Sequence, residues 1–133
     1  MKKDIHIPKV EGVGIAIAKE VIEGDTCYRA HIVNFNNHPL ENVLISSRGY
    51  GMVGKEQKAT SKFNHFVGDL EAESSKAFET VSEEVFGLSN EFFVTYYIGR
   101  VIYDKKYVFV AETILEENLI EIKILELEGV LIR

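Results

Sequence analysis

The sequence has one cysteine, two prolines and no tryptophan. The single cysteine excludes a fold that is held together by intrachain disulfides. Cys27 alone cannot form an intrachain disulfide, and no secretory hydrophobic stretch follows Met1, so we expect a reducing, cytoplasmic location. The apolar runs are far shorter than the ~20 residues that a membrane helix requires. No linker or low-complexity tract interrupts the 133 residues, which predicts one domain over residues 1–133.

The charge balance is acidic but uneven along the chain. The formal net charge of −6 argues against general nucleic-acid binding, because neutralising phosphates requires a basic surface. Acidic residues dominate from Glu112 onward, whereas Arg48, Lys55, Lys58 and Lys62 make the middle of the chain locally basic. An anion would therefore bind in the middle of the chain, and neither nucleic acid nor a membrane is an expected partner.

Alternation of apolar and polar residues predicts strands in the first third of the chain. The segment from Val13 to Ile22 alternates, Glu23 to Asp25 supplies a turn, and Tyr28 to Ile32 resumes the period of two. This pattern predicts a hairpin. Asn36 to Pro39 has the residues of a further turn, and Leu40 to Ser47 follows as a third strand.

The clearest hairpin signal lies in two runs rich in aromatic and β-branched residues, Glu91 to Ile98 and Val101 to Val110. Only the Gly-Arg pair at 99–100 separates them, and a two-residue loop with glycine first is typical of a type II′ turn. Such a loop places Tyr96 opposite Tyr103, so aromatic pairs stack on one face of the hairpin.

Both faces of this hairpin carry large side chains. Tyr96, Tyr103 and Tyr107 form a stripe on one face, for which a core position is favoured over a protein-binding surface because aromatic residues commonly fill sandwich interiors. Phe93 and Tyr97 lie on the other face. We expect one face to lie in the core and the other to be partly covered or prone to association. A protein contact through the tyrosine face is the alternative.

Two further segments fit either a helix or a strand. Their alternation favours strands for Thr60 to Val67 and Ala77 to Ser82, followed by a short helical turn at Glu83 to Phe86. Asn118 to Leu127 and Val130 to Ile132 are predicted as the last strands. Short strands with turns at roughly ten-residue spacing predict a mostly β fold, an antiparallel immunoglobulin-like sandwich.

A glycine-rich stretch from Gly49 to Gly54 reads G-x-G-x-x-G. It misses the phosphate-binding loop pattern by one residue, because Glu56 stands where a hydroxyl would hold magnesium and its carboxylate would repel phosphates. A loop over residues 48–62 would still present backbone N–H groups beside cations, which is typical of an anion-binding nest. The predicted ligand-binding residues of this loop are Arg48, Gly49, Tyr50, Gly51 and Lys55.

No group of residues close in sequence suits catalysis. Cys27 and His31 could be taken for a nucleophile and its base, but four residues along a strand span ~13 Å, far beyond a hydrogen bond. The four histidines lack the spacing of metal ligands, and adjacent carboxylates such as Glu83 and Glu84 would point to opposite sides of a strand. We therefore expect no enzymatic activity, no cofactor and no metal.

Four segments together resemble a family of small, functionally uncharacterised bacterial proteins: Asp4 to Val10, Ser46 to Gly51, Glu84 to Glu91 and Ile102 to Lys106. Members of that family are sometimes labelled phenylalanyl-tRNA synthetase alpha subunit. The F-R-x-E and G-x-G-x-G-x-E-R motifs of class II synthetase chemistry do not occur in this sequence. The resemblance spans most of the chain, implies a compact bacterial domain and transfers no catalytic residue.

Together these patterns predict a non-catalytic binding or protein-interaction module. Its contact surface would be the loop 48–62 or the face with Tyr96, Tyr103 and Tyr107. The alternative is a small-molecule anion binder that takes phosphate or carboxylate through the same loop. A homodimer also stays open.

Overall fold

The computed structural model describes residues 8–133, and its first two strands form the predicted N-terminal hairpin. Strand β1 (Val13–Ile22) pairs antiparallel with β2 (Asp25–Asn34). Glu23 and Gly24 connect them with φ of 51° and 84°, as a two-residue type I′ turn requires. Residues 1–7, which include His6 and most of the first segment of the family resemblance, lie outside the described residues.

Eight further strands follow within residues 8–133. They are β3 (Leu40–Val53), β4 (Glu56–Ala59), β5 (Phe63–Leu70), β6 (Ser74–Val81), β7 (Ser89–Ile98), β8 (Val101–Phe109), β9 (Ile120–Ile122) and β10 (Leu127–Ile132). Two single-turn 3-10 helices lie at Glu83–Val85 and Glu116–Asn118. The predicted helical turn after β6 is confirmed, and the Ser82 hydroxyl caps it by accepting a hydrogen bond from the backbone N–H of Glu84.

The strands form two antiparallel sheets whose inner faces enclose the core. The first sheet has the order β6-β2-β1-β10-β9, and the second has the order β4-β3-β7-β8, with β5 also paired to β3. If β1, β2 and β6 are taken as strands A, B and E, then β3, β7 and β8 are strands C, F and G of an immunoglobulin domain. The predicted immunoglobulin-like sandwich is confirmed, with β9 and β10 added beside β1.

Most of the predicted strands are confirmed, including the two ambiguous segments, which form β5 and β6. One prediction is wrong: Asn118 to Leu127 is not a single strand. A turn over residues 123–126 divides it into β9 and the start of β10, with Glu126 at a φ of 56°. Residues 118–127 alternate across this turn too, so their periodicity alone does not reveal the reversal.

The β7–β8 hairpin has the predicted register. Ile98 pairs with Val101 and Tyr96 with Tyr103, and Gly99 has a φ of 62°, which fits the first position of a type II′ turn. One face of this hairpin enters the core, where the Tyr107 hydroxyl donates a 2.7 Å hydrogen bond to the backbone oxygen of Val13. This bond joins β8 of the second sheet to β1 of the first, so it ties the two sheets together.

Candidate functional site

The glycine-rich stretch is part of a long strand, which corrects the predicted loop 48–62. Arg48, Gly49, Tyr50 and Gly51 lie in the second half of β3, which runs on to Val53. Arg48, Gly49 and Tyr50 pair with β7, and the residues from Tyr50 to Val53 pair with β4, so this stretch forms ladder hydrogen bonds instead of an open loop. A nest of free N–H groups does not form there. Of residues 48–62, only the β3–β4 turn at 54–55, which carries Lys55, and the connection at 60–62 lie outside strands.

The surroundings of Arg48 are unfavourable to an anion. Its Nε lies 3.1 Å from Oε2 of Glu91, and its guanidinium lies 5.3 Å from the centre of the Tyr50 ring. The carboxylate of Glu91 therefore neutralises the guanidinium and repels a second negative charge. The backbone N–H of Gly49 donates a 2.7 Å hydrogen bond to Oγ1 of Thr60, so this donor is also occupied.

A small pocket of about 140 Å³ opens between the two sheets near their β5 and β6 edges. Ser47, Arg48, Gly49 and Glu79 line it, whereas Tyr50, Gly51 and Lys55 do not. The predicted site residues are therefore divided between this pocket and the β3–β4 hairpin.

Glu79 is the centre of the polar cluster in this pocket. Its Oε1 accepts a 2.5 Å hydrogen bond from the Ser47 hydroxyl and lies 2.7 Å from Nε2 of His65. A β-bulge places Glu79 there: the register of β6 against β2 shifts after Ala30, so that both Phe78 and Glu79 face the space between the sheets. The sequence did not predict this cluster. Alternation along a strand predicts which face of the sheet a side chain occupies, and the bulge interrupts that alternation.

The order of groups in the cluster favours a structural role over nucleophilic catalysis. In a serine hydrolase the histidine lies between the serine and the carboxylate, and it takes the serine proton. Here the carboxylate of Glu79 lies between Ser47 and His65. Since Ser47 and His65 belong to the second sheet and Glu79 to the first, the hydrogen bonds join the two sheets at this edge.

The tyrosine stripe packs against the core, the position that the sequence favoured, so Tyr96 and Tyr107 are not accessible to a protein partner. Tyr96 and Tyr107 are buried, and Tyr103 stacks on Tyr96 with ring centres 5.3 Å apart. Burial raises the pKa of Tyr96 to about 12 and that of Tyr107 further, because an ionised phenol would lose its hydration there.

The opposite, outward face of the second sheet exposes a group of large apolar side chains. We call it the outer patch, and its members, between 37% and 68% exposed, are Leu44, Phe66, Phe93, Tyr97 and Ile102. Leu44 lies directly opposite Phe66, and Tyr97 lies directly opposite Ile102. The outer patch therefore extends across β5, β3, β7 and β8.

Thr95 lies at the centre of the outer patch. It is paired with Leu44 on β3, and Phe93 and Tyr97 precede and follow it on the same face of β7. A depression of about 470 Å³ beside it is lined by Leu44, Phe93 and Thr95 together with the polar Asn64 and Lys62. Asp104 lies directly opposite Thr95 on β8, so the surface combines exposed apolar side chains with polar groups, as protein-binding surfaces do.

Cys27 and His31 share the outer face of the first sheet, where His31 contacts Glu20 on the neighbouring strand. Nε2 of His31 lies 3.0 Å from Oε2 of Glu20, and Arg29 donates to both oxygens of that carboxylate at 2.7 and 2.8 Å. Burial lowers the pKa of His31, although Glu20 opposes the shift. The hydrogen bond from Arg29 is the main cause that lowers the pKa of Glu20.

This cluster predicts that the domain loses stability as the pH falls from about 7.5 to 5. A folded-state pKa of His31 below the unfolded value of about 6.5 means that the unfolded chain binds the proton more readily. The stability is therefore present above pH 6.5 and is lost as the pH falls towards the folded pKa. Glu20, whose pKa is also lowered, adds a second loss as the pH falls below about 4.5.

Urea unfolding followed by circular dichroism at several pH values measures this loss. In His31→Gln, glutamine keeps a donor for Glu20 but does not titrate, so the decrease in unfolding free energy between pH 7.5 and 5 should be smaller than in the wild type. Equal decreases in both proteins would show that His31 is not the titrating group.

No protein-family model matches the sequence, and no curated protein is significantly similar to it. Within residues 8–133, no helix is long and apolar enough to cross a membrane. In the same range, histidine, cysteine and acidic side chains form no group of three or more that could hold a metal ion.

Proposed function

We propose that this domain is a non-catalytic binding module that contacts a protein partner through the outer patch. The observation that supports the proposal most strongly is the presence of five large, exposed apolar side chains on one sheet face, of which Leu44 and Phe66, and Tyr97 and Ile102, lie directly opposite each other. Groups of large apolar side chains exposed on one face of a soluble domain mark interaction sites, because leaving them in water is unfavourable. Phe93 and Tyr97 supply aromatic area, which contributes strongly to binding energy at the centre of interfaces.

Charged residues around the outer patch suit a partner of mixed charge. Lys62 and Lys106 lie at its margin, together with the paired Arg48 and Glu91. Such groups contribute to the rate of association and to specificity more than to affinity. The apolar side chains of the outer patch would supply most of the binding energy.

Substitution of Thr95 by arginine tests the proposal. An arginine there would place a long, charged side chain beside Asp104 and among the apolar side chains of the outer patch without entering the core, because Thr95 faces outward. Immobilised wild-type domain and Thr95→Arg are compared for the proteins that they retain from a host lysate. The Kd of each retained protein is then measured, and the variant is expected to bind at least about 30-fold more weakly.

Thr26→Arg is the matched control, because Thr26 is exposed on β2 of the first sheet. Melting curves of both variants establish that they are folded. A partner that binds the wild type and Thr26→Arg equally but Thr95→Arg weakly supports the outer patch. If every retained protein binds all three forms with the same Kd, the outer patch is not the contact surface.

The anion-binding alternative has one observation in its favour. Arg48 and Lys62 line one depression of about 290 Å³, beside the side chain of Ser46. Glu91 lines the same depression and opposes an anion there. Titration with inorganic phosphate while the melting temperature is recorded separates the two candidates, because only an anion site predicts a rise that Arg48→Gln removes.

A further inference from the structure

Strand β8 forms an open edge of the second sheet within the described residues. In the turn before it, the carbonyl of Ile98 accepts from the N–H of Val101, so these two residues form a hydrogen-bonded pair. Hydrogen-bonded and non-hydrogen-bonded pairs alternate along an antiparallel ladder. Every second residue of β8 therefore directs its N–H and C=O away from β7, and these residues are Ile102, Asp104, Lys106 and Val108.

The four outward-directed residues form a self-complementary series. If a second copy of β8 pairs antiparallel over the full nine residues, Lys105 lies on the two-fold axis. Asp104 then lies opposite Lys106 of the second copy, and Ile102 lies opposite Val108 of the second copy. Each pair occurs twice because the arrangement is symmetric.

The neighbouring registers are less favourable. Two copies of this edge form hydrogen bonds only when the outward-directed residues of one copy lie opposite those of the other. The register between the copies can therefore shift only in steps that preserve this arrangement. One step in one direction places Asp104 opposite Asp104 of the second copy, and one step in the other places Lys106 opposite Lys106 of the second copy. Like charges directly opposite are destabilising, so the charges select the full-length register.

We propose that two copies of this chain associate by antiparallel pairing of their β8 strands, with Lys105 on the two-fold axis. The pairing would form about eight backbone hydrogen bonds between the copies. Two Asp104–Lys106 ion pairs and two Ile102–Val108 contacts would accompany them. Asp104 and Lys106 are exposed in the single chain, so neither has to leave the core to meet its counterpart.

Two features oppose the association and make it weak and dependent on salt. Lys105 meets its own counterpart across the axis, and each chain carries a net charge of −6. The first effect is reduced because Nζ of Lys105 lies 5.0 Å from the centre of the Tyr107 ring of its own chain. Lysine on an edge strand often prevents strand pairing, so the charge pattern itself has to be tested.

The proposed dimer does not depend on the protein partner of the outer patch. A two-fold axis perpendicular to the extended sheet would place both outer patches on the same side of it. The dimer would then present the apolar surface twice and bind a repeated partner with increased avidity. Ile102 belongs to both surfaces and Asp104 lies opposite Thr95, so the readouts separate the two proposals. Self-association of the chain alone tests the dimer, and the Kd of a protein partner tests the outer patch.

Sedimentation velocity over a range of concentrations up to about 1 mM tests the proposal. The wild type is expected to show a concentration-dependent monomer–dimer equilibrium. Asp104→Lys would place two lysines opposite each other in both ion-pair positions, so the dimer should weaken at least about tenfold. The double variant Asp104→Lys with Lys106→Asp restores opposite charges at both positions and should restore the dimer.

Asp25→Lys is the control for net charge, because Asp25 is exposed at the start of β2, away from β8. It should leave the equilibrium near that of the wild type. A wild type that stays monomeric up to about 1 mM overturns the proposal. So does a dimer that tolerates Asp104→Lys, or one that the double variant does not restore.

Discussion

Gly129→Ala is expected to lower the free energy of unfolding by more than about 3 kcal/mol, because the added Cβ has no room. At this position a Cβ would lie 2.6 Å from the backbone oxygen of Ile17 and 2.9 Å from Cα of Ala18. Both atoms belong to the backbone of β1, in the middle of the first sheet. Relief of the clash requires β1 and β10 to move apart, which weakens the ladder between them.

Gly87→Ala is the matched control. A Cβ at Gly87 would have no heavy atom within 4 Å, and Gly87 is not among the glycines with positive φ. Its stability should change by less than about 1 kcal/mol, in the stabilising direction if alanine restricts the unfolded chain. Chemical unfolding followed by far-ultraviolet circular dichroism gives both values. Equal values for Gly129→Ala and Gly87→Ala would contradict the close approach of β1 and β10.

Phe92→Ala is expected to be destabilising by about 3–5 kcal/mol, the usual range for loss of a buried phenylalanine. Phe92 is buried, and its ring meets the rings of Phe78 and Phe109 edge-to-face, each at 5.8 Å between centres. Truncation would leave a cavity between the two sheets, because Phe78 comes from the first sheet and Phe109 from the second.

Phe93→Ala is the control for this change, since the next residue of β7 points to the opposite face of the sheet. Phe93 belongs to the outer patch, so its truncation should cost less than about 1 kcal/mol of stability while it reduces binding of the proposed partner. The measurement is again chemical unfolding. A loss for Phe93→Ala as large as for Phe92→Ala would mean that the outer patch is not exposed.

The hairpins could be predicted from the sequence because their information is local. Gly99 and Arg100 specify a two-residue turn, and a turn of that length leaves one register for the strands on either side. The first hairpin was also predicted, although its turn is Glu23 and Gly24 alone and Asp25 is already the first residue of β2. In both cases the residues that pair are close in sequence, and the turn decides which side chains share a face.

The candidate sites could be predicted only in part. The strand that contains Gly49 and Gly51 looks like a loop in the sequence because its pairing partners, β4 and β7, cannot be identified from local residue types. The inward direction of Glu79 depends on a bulge that is visible only when β6 is paired with β2. His65 and Ser47 meet Glu79 because the two sheets stack, and no spacing along the chain indicates that contact.

Alternation and turn residues thus sufficed for most of the strands and for the mostly β class of this protein, since these follow from interactions between near neighbours. They did not reveal the second half of β3, strand β4 or the turn between β9 and β10. The choice between the two large faces of the β7–β8 hairpin followed from sheet stacking, which buries Tyr96 and Tyr107 and leaves Phe93 and Tyr97 in water. The open edge at β8 has the same origin. Burial and pairing between distant segments depend on how the whole chain packs, and alternation along one strand is the same whichever face is covered.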